Sequence, residues 1–345
     1  MLHGLTIALV AVATARVVAA GTVEECRVLV MGTEARIVAH AADGTSARAA
    51  ARAAIDELDR CDAALSDYRA TSEVRQLPAQ WSTWTTLGPI TASAMGAARR
   101  VASASHGAYD PTVGPIVALW REARETGRRP SSDALAQARR HVGWTLIEWR
   151  ASVIPAARCA DPMVTLDLGG VGKGLGAHRA AQAARDAGAT AVLVAVSGDI
   201  RADGAPPGTS GWRVQVDDGL GGDAPMLVLR DLSVSTSGDT EQWAMVDGRR
   251  VGHLLDPHDG EPLTARRAAT VVGPDGAVVD ASATALCILG AGQATTLIDS
   301  LGLRAVRVRE ETTPNDDEAA DDPAPGATTT HGDWAALAGT DAHAS

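Results

Sequence analysis

The sequence contains no phenylalanine, only 2 tyrosines and a single lysine among its 345 residues. Eight tryptophans and the aliphatic side chains must therefore fill the interior. Apolar residues make up 46% of the sequence and charged residues 21%, as in ordinary globular proteins, which excludes whole-chain disorder, collagen and coiled coil. The length fits one large domain or two ordinary ones.

Paired cysteine motifs are also missing. The four cysteines are scattered and form no C-x-x-C pair. This excludes the usual zinc motifs and a dense disulfide framework, although one or two disulfides stay open for an exported protein. They are Cys26, Cys61, Cys159 and Cys287.

Lysine and arginine are absent after Arg309, whereas nine acidic residues follow it. Most of the net charge of -11 therefore lies in the tail, and residues 1–309 carry 31 basic against 33 acidic residues. A nearly neutral body with an acidic tail argues against a nucleic-acid partner, which needs a basic face. Thr312–Thr330 lacks core-forming residues, so the tail, residues 310–345, is expected to be disordered.

The N-terminus has features of a signal peptide. Leu5–Ala15 is an apolar run of suitable length, and Val18, Ala19 and Ala20 offer small residues for cleavage. The run is too short to span a bilayer. Against export, no lysine or arginine precedes the run and Arg16 follows it. We expect a signal peptide over residues 1–20 and an exported, periplasmic or membrane-facing protein. The alternatives are a mispredicted start or a first buried strand, either of which would fit a cytoplasmic protein.

Helical and strand patterns are interleaved over residues 21–309, which we expect to form one domain. Several strands come as adjacent pairs, which favours a mixed α+β fold over a doubly wound parallel sheet. Helices are predicted at Ser46–Ser66, Thr91–Ser105, Gly172–Gly188 and Asp280–Leu289. Strands are predicted as a hairpin within residues 22–42 turning at Met31-Gly32-Thr33, and at Trp144–Arg150, Met163–Leu168, Ala191–Val196, Trp212–Val216, Met226–Leu229, Gly252–Leu255, Ala268–Val272 and Ala305–Arg309.

The most informative segment, Thr165–Asp199, is predicted to run strand, glycine-rich turn, helix, strand. Glycines and free N–H groups at a helix start suit a phosphate group. The segment fails the Walker A pattern because Gly174 occupies the position of the required Ser or Thr. It nearly satisfies a dinucleotide-binding fingerprint, as Gly172-x-Gly174-x-x-Ala177, so a nicotinamide or flavin oxidoreductase is a serious rival. A simpler interpretation is that these glycines only allow the helix to pack tightly on the strand.

The lone lysine, Lys173, lies inside this segment, and 30 of the 31 basic residues are arginine. An ammonium kept where arginine is otherwise used suggests a compact charge beside a phosphate or carboxylate. Asp167 is its expected partner. Chance retention is the alternative.

Two oxygen-bearing residues, Asp280 and Thr284, are spaced to share one helical face. Such ligands suit Mg²⁺, which commonly takes one or two carboxylates together with substrate phosphates. The competing interpretation makes Asp280 an N-cap.

Eight ordered blocks within about Met31–Gly290 together resemble the FAD:protein FMN transferases, the ApbE flavin transferases. The blocks are MGT, S-x-Y with SEV, GAYDPTVGPIVALW, DLGGVGKG, SGDI, TSGD, HLLDPHDG and VDASATALCILG. The resemblance implies a T-fold-like α+β core. It also implies Mg²⁺-dependent transfer of the FMN half of FAD to a threonine of an acceptor flavoprotein, with release of AMP.

The resemblance also assigns site residues. FAD, the substrate, would be held by Met31, Tyr68, Ala108, Tyr109, Asp110, Asp167, Lys173 and Leu254. Mg²⁺ would be held by the main-chain oxygen of Gly170 together with Asp280 and Thr284. His253 is the candidate acid/base, and Lys173 would assist catalysis. The implied partners are acceptors with FMN-binding domains, such as subunits of sodium-pumping quinone reductase or Rnf-type electron-transfer complexes, through which the protein would associate with a membrane.

The sequence departs from the family pattern at three places. Ser197-Gly198-Asp199 stands where Gly-Gly-Asp is usual, Thr240 replaces an aromatic residue, and His258-Asp259 replaces a basic residue and Thr. None of these changes removes a proposed metal ligand, so an active enzyme is expected. The alternatives are an FAD- or NAD-dependent oxidoreductase and a non-catalytic flavin-binding protein.

Overall fold

The computed structural model describes residues 14–18, 21–221, 224–238, 243–263, 266–311 and 327–338. The strands are β1 Thr14–Val18, β2 Gly21–Val30, β3 Thr33–Ala41, β4 Thr85–Thr86, β5 Ile147–Arg150, β6 Ala156–Cys159, β7 Ala191–Val196, β8 Asp199–Asp203, β9 Trp212–Gln215, β10 Met226–Leu229, β11 Leu232–Gly238, β12 Trp243–Val246, β13 Arg249–Gly252, β14 Arg267–Gly273, β15 Ala305–Glu310 and β16 Ala327–Gly332. The helices are α1 Gly44–Leu65, α2 Glu73–Gln76, α3 Pro89–Ala104, α4 Gly114–Thr126, α5 Ser132–Arg139, α6 Gly169–Asp186, α7 Gly276–Leu289, α8 Ala294–Leu301 and α9 Trp334–Leu337.

The central feature is a nine-stranded sheet in the order β1-β2-β3-β7-β8-β11-β14-β15-β16. All its neighbouring strands run antiparallel. The predicted mixed α+β architecture is therefore confirmed, and no doubly wound parallel sheet is present in the described part of the chain.

The two faces of the sheet are covered differently. In β3, Ala35, Ile37 and Ala39 pack against helices α1 and α6, whereas Val38 points to the opposite face, toward the β9–β10 hairpin. This alternation follows from the two-residue repeat of side chains along a strand. Helices α3 and α7 continue the helical layer over the far half of the sheet.

A smaller unit lies beside this core. Helices α4 and α5 bury Ile116, Trp120 and Leu135 against Val246 and Val251 of the β12–β13 hairpin. Strand β13 leads directly into residues 253–255. On the other face of the hairpin, Trp243 and Met245 are each 52% exposed.

Three sequence-based predictions of elements need correction. Residues 163–168 form no strand: Thr165 makes one isolated parallel bridge to Val113, so this extended segment lacks the neighbours of a ladder. The strand predicted at Gly252–Leu255 is instead β13, which ends at Gly252. Helix α7 begins at Gly276 and its N-cap is Asp275, so Asp280 lies one turn inside the helix and is not the cap.

The tail also differs from its predicted disorder. Strand β16 pairs with β15 over six residues, and Trp334 of α9 is buried in the cluster beneath the β9–β10 hairpin. Pairing to a sheet edge offsets the poor core-forming composition of this segment. Residues 312–326 and 339–345 lie outside the described residues.

At the N-terminal end, β1 pairs with β2 at the other edge of the sheet. Residues 1–13 and 19–20, which include most of the expected signal peptide, lie outside the described residues. No helix in the part of the chain that the structure describes has the length and apolarity needed to cross a membrane. All four cysteines are buried, and none forms a disulfide within the described residues.

Candidate active site

The site is organised by a close crossing of α6 and α7. A Cβ atom placed on Gly174 would lie 2.2 Å from the Gly276 carbonyl oxygen, and one on Gly276 would lie 2.3 Å from that of Gly174. Only glycine at both positions allows this contact. The dinucleotide-fingerprint interpretation is therefore wrong: Gly172, Gly174 and Ala177 lie within α6 and serve helix packing.

Helix α6 starts with an irregular turn. Asp167 Oδ1 accepts a hydrogen bond from the Gly169 N–H at 2.8 Å, and Gly170 has non-helical dihedral angles inside the helix. One turn later, the N–H of Gly174 donates to Asp280 Oδ2 at 2.9 Å. In a regular helix that amide would donate to the carbonyl of Gly170. The turn therefore ties the first residues of α6 to a carboxylate of α7.

Asp280 and Thr284 face α6 together, as their spacing predicts. Asp280 is buried, and a Cβ atom on Gly170 would lie 3.1 Å from Thr284 Oγ1. The three proposed magnesium ligands therefore lie in one place, where the first turns of α6 meet the middle of α7.

Lys173 projects from α6 into the same place. Its Nζ atom lies 3.1 Å from Asp199 Oδ2 and 3.8 Å from Asp280 Oδ2, and it donates to the Gly169 carbonyl at 3.1 Å. The expected partner, Asp167, is not among its ion-pair contacts within 4.0 Å in the described structure, so that assignment is corrected to Asp199. The physical reason is that Lys173 extends from the inner side of α6 toward the sheet, where β8 begins.

The charges in this cluster perturb one another. Burial, and then the charge of Asp199, raise the pKa of Asp280 to about 7, although Lys173 acts in the opposite direction. Burial alone would lower the pKa of Lys173, but Asp199 and Asp280 outweigh it and the pKa is raised. Lys173 therefore stays an ammonium, and two carboxylates compete for its single charge.

Tyr109 closes one side of the cluster. Its ring lies beside Gly170, and its buried hydroxyl has no hydrogen-bond partner among the described residues. Burial, followed by the charges of Asp280 and Asp167, raises the pKa of Tyr109 well above its ordinary value. The hydroxyl thus stays protonated and keeps its hydrogen available to a bound group.

Asp110, assigned to FAD by the resemblance, makes hydrogen bonds within the protein. Its Oδ1 atom accepts from the N–H and hydroxyl of Thr112 at 2.8 and 2.6 Å. Its Oδ2 atom accepts from the Trp144 N–H at 2.9 Å. Both oxygens are thus engaged in fixing the loop that carries Ala108 and Tyr109, which are themselves buried.

The other assigned residues lie around this centre or on the α4 side of the molecule. Met31, in the β2–β3 turn, packs its side chain on Gly172 and Gly176 of α6. Tyr68 is 80% exposed, with the Arg121 guanidinium 4.9 Å from its ring centroid. His253 and the buried Leu254 directly follow β13.

Sequence reasoning missed two contacts. Asp199, the partner of Lys173, also accepts a 2.5 Å hydrogen bond from Ser235 Oγ. Ser237 Oγ lies 3.3 Å from Thr284 Oγ1. Asp199 lies in the block SGDI and Ser237 in the block TSGD. These blocks could therefore have pointed to the two contacts, but the sequence analysis assigned neither residue a role. Asp239 of the second block lies outside the described residues.

The residues present fit both implied groups. No three His, Cys, Asp or Glu side chains form a metal-binding cluster in the described ranges, so the candidate ligand set is one carboxylate, one hydroxyl and one carbonyl. Mg²⁺ is often bound in this way, with substrate phosphates completing its shell. The unpartnered hydroxyl of Tyr109 offers a donor for such a substrate.

Comparison with known proteins gives the family. The sequence model described as the ApbE family matches residues 31–307, which include every assigned site residue. The chain belongs to the ApbE family.

Relatives of this ApbE-family protein carry one name. It is 28% identical over 219 residues to the FAD:protein FMN transferase of Klebsiella pneumoniae, covering 61% of this chain and 63% of the relative. It is 27% identical over 252 residues to the protein of that name from Haemophilus influenzae, covering 70% of this chain and 73% of the relative. The expected class, a transferase acting on flavin, is confirmed at the level of the family.

Solved ApbE structures share the fold. The ApbE protein of Thermotoga maritima matches with a TM-score of 0.76 at 26% identity, over 92% of this chain and 100% of that chain. The flavinyl transferase ApbE of Pseudomonas stutzeri, in its apo form, matches with a TM-score of 0.77 at 24% identity, over 93% and 98%. The predicted ApbE-like α+β fold is confirmed.

Proposed function

We propose that this ApbE-family protein transfers the FMN half of FAD to a threonine hydroxyl of an acceptor protein, with Mg²⁺, and releases AMP. The observation that carries the proposal is the meeting of Asp280, Thr284 and Gly170 beside Lys173. The family membership supports the use of flavin, and the chemistry of these side chains supports the metal and the phosphoryl transfer.

The local charge explains why a divalent cation would be required. Asp199 and Asp280 are buried carboxylates with one ammonium between them. When both carboxylates are ionised, their net charge repels the pyrophosphate of FAD. Mg²⁺, when bound, supplies positive charge that neutralises the phosphate oxygens. Asp280, Thr284 and the Gly170 carbonyl would hold it, and FAD would complete its shell.

The protein's own residues then position the reactants. Lys173 stays charged and offsets the two carboxylates, so that phosphate oxygens can approach. Tyr109 can donate its free hydroxyl to the substrate. Positioning and electrostatics do most of the work in phosphoryl transfer. His253 would accept the proton of the attacking hydroxyl, a role that typically contributes about 10²–10⁴-fold.

The acceptors we propose are proteins with FMN-binding domains, such as those of sodium-pumping quinone reductase or Rnf-type complexes. We propose that the protein is exported and meets them at the membrane. Cleavage after Ala20 would leave a mature chain starting at Gly21 and would remove β1. N-terminal sequencing of the protein from its native host tests this, and a soluble cytoplasmic protein that keeps Met1 would contradict it.

Incubating the purified protein with FAD, Mg²⁺ and an acceptor domain tests the activity. We expect release of AMP together with a covalent flavin adduct. Hydride exchange with a nicotinamide would instead favour an oxidoreductase, and tight FAD binding without turnover would favour a flavin-binding protein.

The metal site is tested by Asp280→Asn, which should abolish Mg²⁺-dependent turnover. Asp299→Asn, an equal change on the exposed face of α8, is the matched control and should keep the wild-type rate. A wild-type rate in Asp280→Asn would remove the site assignment.

A further inference from the structure

Two hydrogen bonds join α6 and α7 at their glycine crossing. The N–H of Gly174 in α6 donates to Asp280 of α7 at 2.9 Å. One turn away along each helix, the N–H of Gly276 donates to the Nδ1 atom of His178 at 3.1 Å. The backbones of the two glycines meet at the same crossing. The two bonds therefore fix how the helices lie against each other.

The hydrogen bond at His178 also fixes the protonation state of the ring. A backbone N–H can only donate, so Nδ1 must carry a lone pair and the single proton of the ring must be on Nε2. An imidazolium has donors at both nitrogens and would direct one of them at the N–H of Gly276. His178 therefore holds α7 only while its ring is neutral.

The residues just before Gly276 are held by a second side chain. Arg201 of β8 donates to the Pro274 carbonyl at 2.6 Å and to Asp203 Oδ1 at 2.6 Å. The turn from which α7 begins is thus held by His178 from α6 and by Arg201 from the sheet.

The charges on α6 and β8 oppose a proton on the ring. Burial lowers the pKa of His178 from its ordinary value of 6.5, and the charge of Arg201 acts in the same direction. Arg179 adds to this effect and is paired with Glu57 of α1 at 2.6 Å. Asp203 favours the proton but is paired with Arg201 at 2.6 Å.

The start of α7 faces the ring from the other side. Asp275 favours a proton on His178, but its Oδ1 atom accepts from the N–H groups of Ala277 and Val278. Its Oδ2 atom lies 3.4 Å from the Arg100 guanidinium. The positive end of the helix dipole also points at the ring, through the N–H that the ring accepts, and disfavours a second positive charge there.

We propose that His178 is a positioning residue for the magnesium ligands of α7, and that a proton on its ring releases the start of this helix. The inference rests on the proposed function and adds its response to acid. Asp280 lies one turn after Gly276 and Thr284 two turns after it, so a shift at the start of α7 moves both ligands relative to Gly170. Mg²⁺ is then held less tightly in acid.

The test first measures the pKa of His178 by NMR titration of the full protein, with His178→Asn identifying the resonance. We expect a pKa below 6.5. The Mg²⁺ affinity of the FAD-loaded protein is then measured by calorimetry at about pH 7.5 and at one pH unit below the measured pKa.

The deciding comparison is with His178→Asn, because the asparagine Oδ1 can accept the same N–H and does not titrate. At the lower pH the wild type should bind Mg²⁺ about tenfold more weakly than His178→Asn, the lower end of the range for groups that orient metal ligands. At the higher pH the two should agree. Protonation of Asp280, whose pKa is raised to about 7, weakens binding in both proteins and cancels. His178→Asp, whose carboxylate also accepts the N–H, should behave like His178→Asn.

His40→Asn is the matched control. His40 lies against Trp212 on the face of the sheet away from α6, with ring centroids 5.6 Å apart, and burial lowers its pKa too. For both histidines the unfolded chain binds the proton more readily, so each contributes stability that is present above pH 6.5 and lost in acid. His40→Asn should therefore change the pH dependence of unfolding but leave the Mg²⁺ affinity as in the wild type at both pH values.

A His178 pKa above 6.5 would overturn the proposal. So would equal Mg²⁺ affinities of the wild type and either His178 variant at the lower pH, because His178 would then affect stability alone. Neither the NMR titration nor the calorimetry requires turnover. A protein that binds FAD and Mg²⁺ with the expected pH dependence but transfers no FMN would contradict the proposed function and leave the role of His178 standing.

Discussion

Lys173 lies between two carboxylates that folding has largely removed from water. The side chains of Asp199 and Asp280 are 4% and 2% exposed, whereas that of Lys173 is 32% exposed. A guanidinium is planar and delivers its hydrogen bonds in a fixed fork, while an ammonium is compact. The space between two carboxylates and the Gly169 carbonyl favours the compact group, which gives a physical reason for the one lysine of the sequence.

The first prediction concerns this lysine. Lys173→Ala should lower both FAD affinity and the free energy of unfolding, since breaking a buried ion pair costs about 3–5 kcal/mol and partial exposure of the ammonium places the loss at the lower end. Lys173→Arg should restore only part of the FAD affinity and only part of the free energy of unfolding. Urea denaturation and FAD titration measure the two effects. Wild-type values in both variants would mean that the lysine has no role in the site.

Thr284 gives a second prediction at this scale. Thr284→Ser keeps the hydroxyl, and Thr284→Val keeps the shape but removes it. Losing even a residue that supports a metal ligand typically costs about 10–100-fold in metal affinity, so the valine variant should need at least about tenfold more Mg²⁺ for half-maximal turnover. The serine variant should stay near wild type. If both variants need the same Mg²⁺ concentration, the hydroxyl is not a ligand.

The residue types of the site could be predicted from the sequence, but not all of their partners. The spacing of Asp280 and Thr284 was enough to place both oxygens on one helical face, because that follows from helix geometry alone. The pairing of Lys173 with Asp199 depends on how α6 lies over the sheet, and local sequence does not contain that information. Asp167, the acid nearer to Lys173 in the sequence, was therefore wrongly predicted as its ion-pair partner.

Helices α6 and α7 approach closely because glycine meets glycine at their crossing. The third prediction is that Gly174→Ala destabilises the protein by about 1–3 kcal/mol or more, the usual cost of overpacking, because its Cβ would lie 2.2 Å from a backbone oxygen. Gly96→Ala in α3 is the matched control. A Cβ there meets nothing within 4 Å, so this change should stabilise the protein by about 0.4–1 kcal/mol.

Thermal or urea unfolding of the two glycine variants measures the difference. Activity should fall with stability in Gly174→Ala, since the contact sets the distance between Asp280 and the start of α6. Equal stability of the two variants would show that α6 and α7 can move apart at no cost in free energy. That result would contradict a crossing that requires glycine at position 174.

Elements with clear periodicity and local signals were predictable. The β2–β3 hairpin, α1, α3, α6, β7 and β10 lie where the sequence placed them within a few residues. Helices α4, α5 and α8 were not assigned from the sequence. Strand β16 was hidden by its polar composition, because its stability depends on pairing with a distant edge.

At the scale of the whole molecule, strand β16 of the tail forms one edge of the nine-stranded sheet. The fourth prediction is that truncation after Glu311 removes β16 and the buried Trp334 and so costs about 3 kcal/mol or more, as for loss of a buried tryptophan side chain. Truncation after Ala338 keeps both and should leave the free energy of unfolding unchanged. Urea denaturation of the two truncated proteins measures this. Equal free energies of unfolding for the two truncated proteins would show that β16 and Trp334 do not stabilise the fold.

At the same scale, the family resemblance implies an acceptor threonine in a pattern like Asp-x-x-(Ser/Thr)-Gly-Ala-Thr. The tail segment Asp322–Thr328 is similar to this pattern, with Pro325 in place of the hydroxyl residue. Thr328 lies in β16, paired with Arg309. Strand pairing holds it on the sheet edge, so we expect no flavin adduct on Thr328. Tryptic mass spectrometry after incubation with FAD and Mg²⁺ checks this, and an adduct there would show that β16 detaches.

The central claim is that the cluster of Asp280, Thr284, Gly170 and Lys173 supports FMN transfer to an acceptor hydroxyl. The most direct measurement is fragment mass spectrometry of an FMN-binding acceptor domain after incubation with this protein, FAD and Mg²⁺, with AMP quantified in the same sample. The account predicts an FMN phosphoester on one threonine and one AMP released per adduct, both absent without Mg²⁺ and both absent with Asp280→Asn. An unmodified acceptor, or an adduct formed equally well by Asp280→Asn, would contradict it.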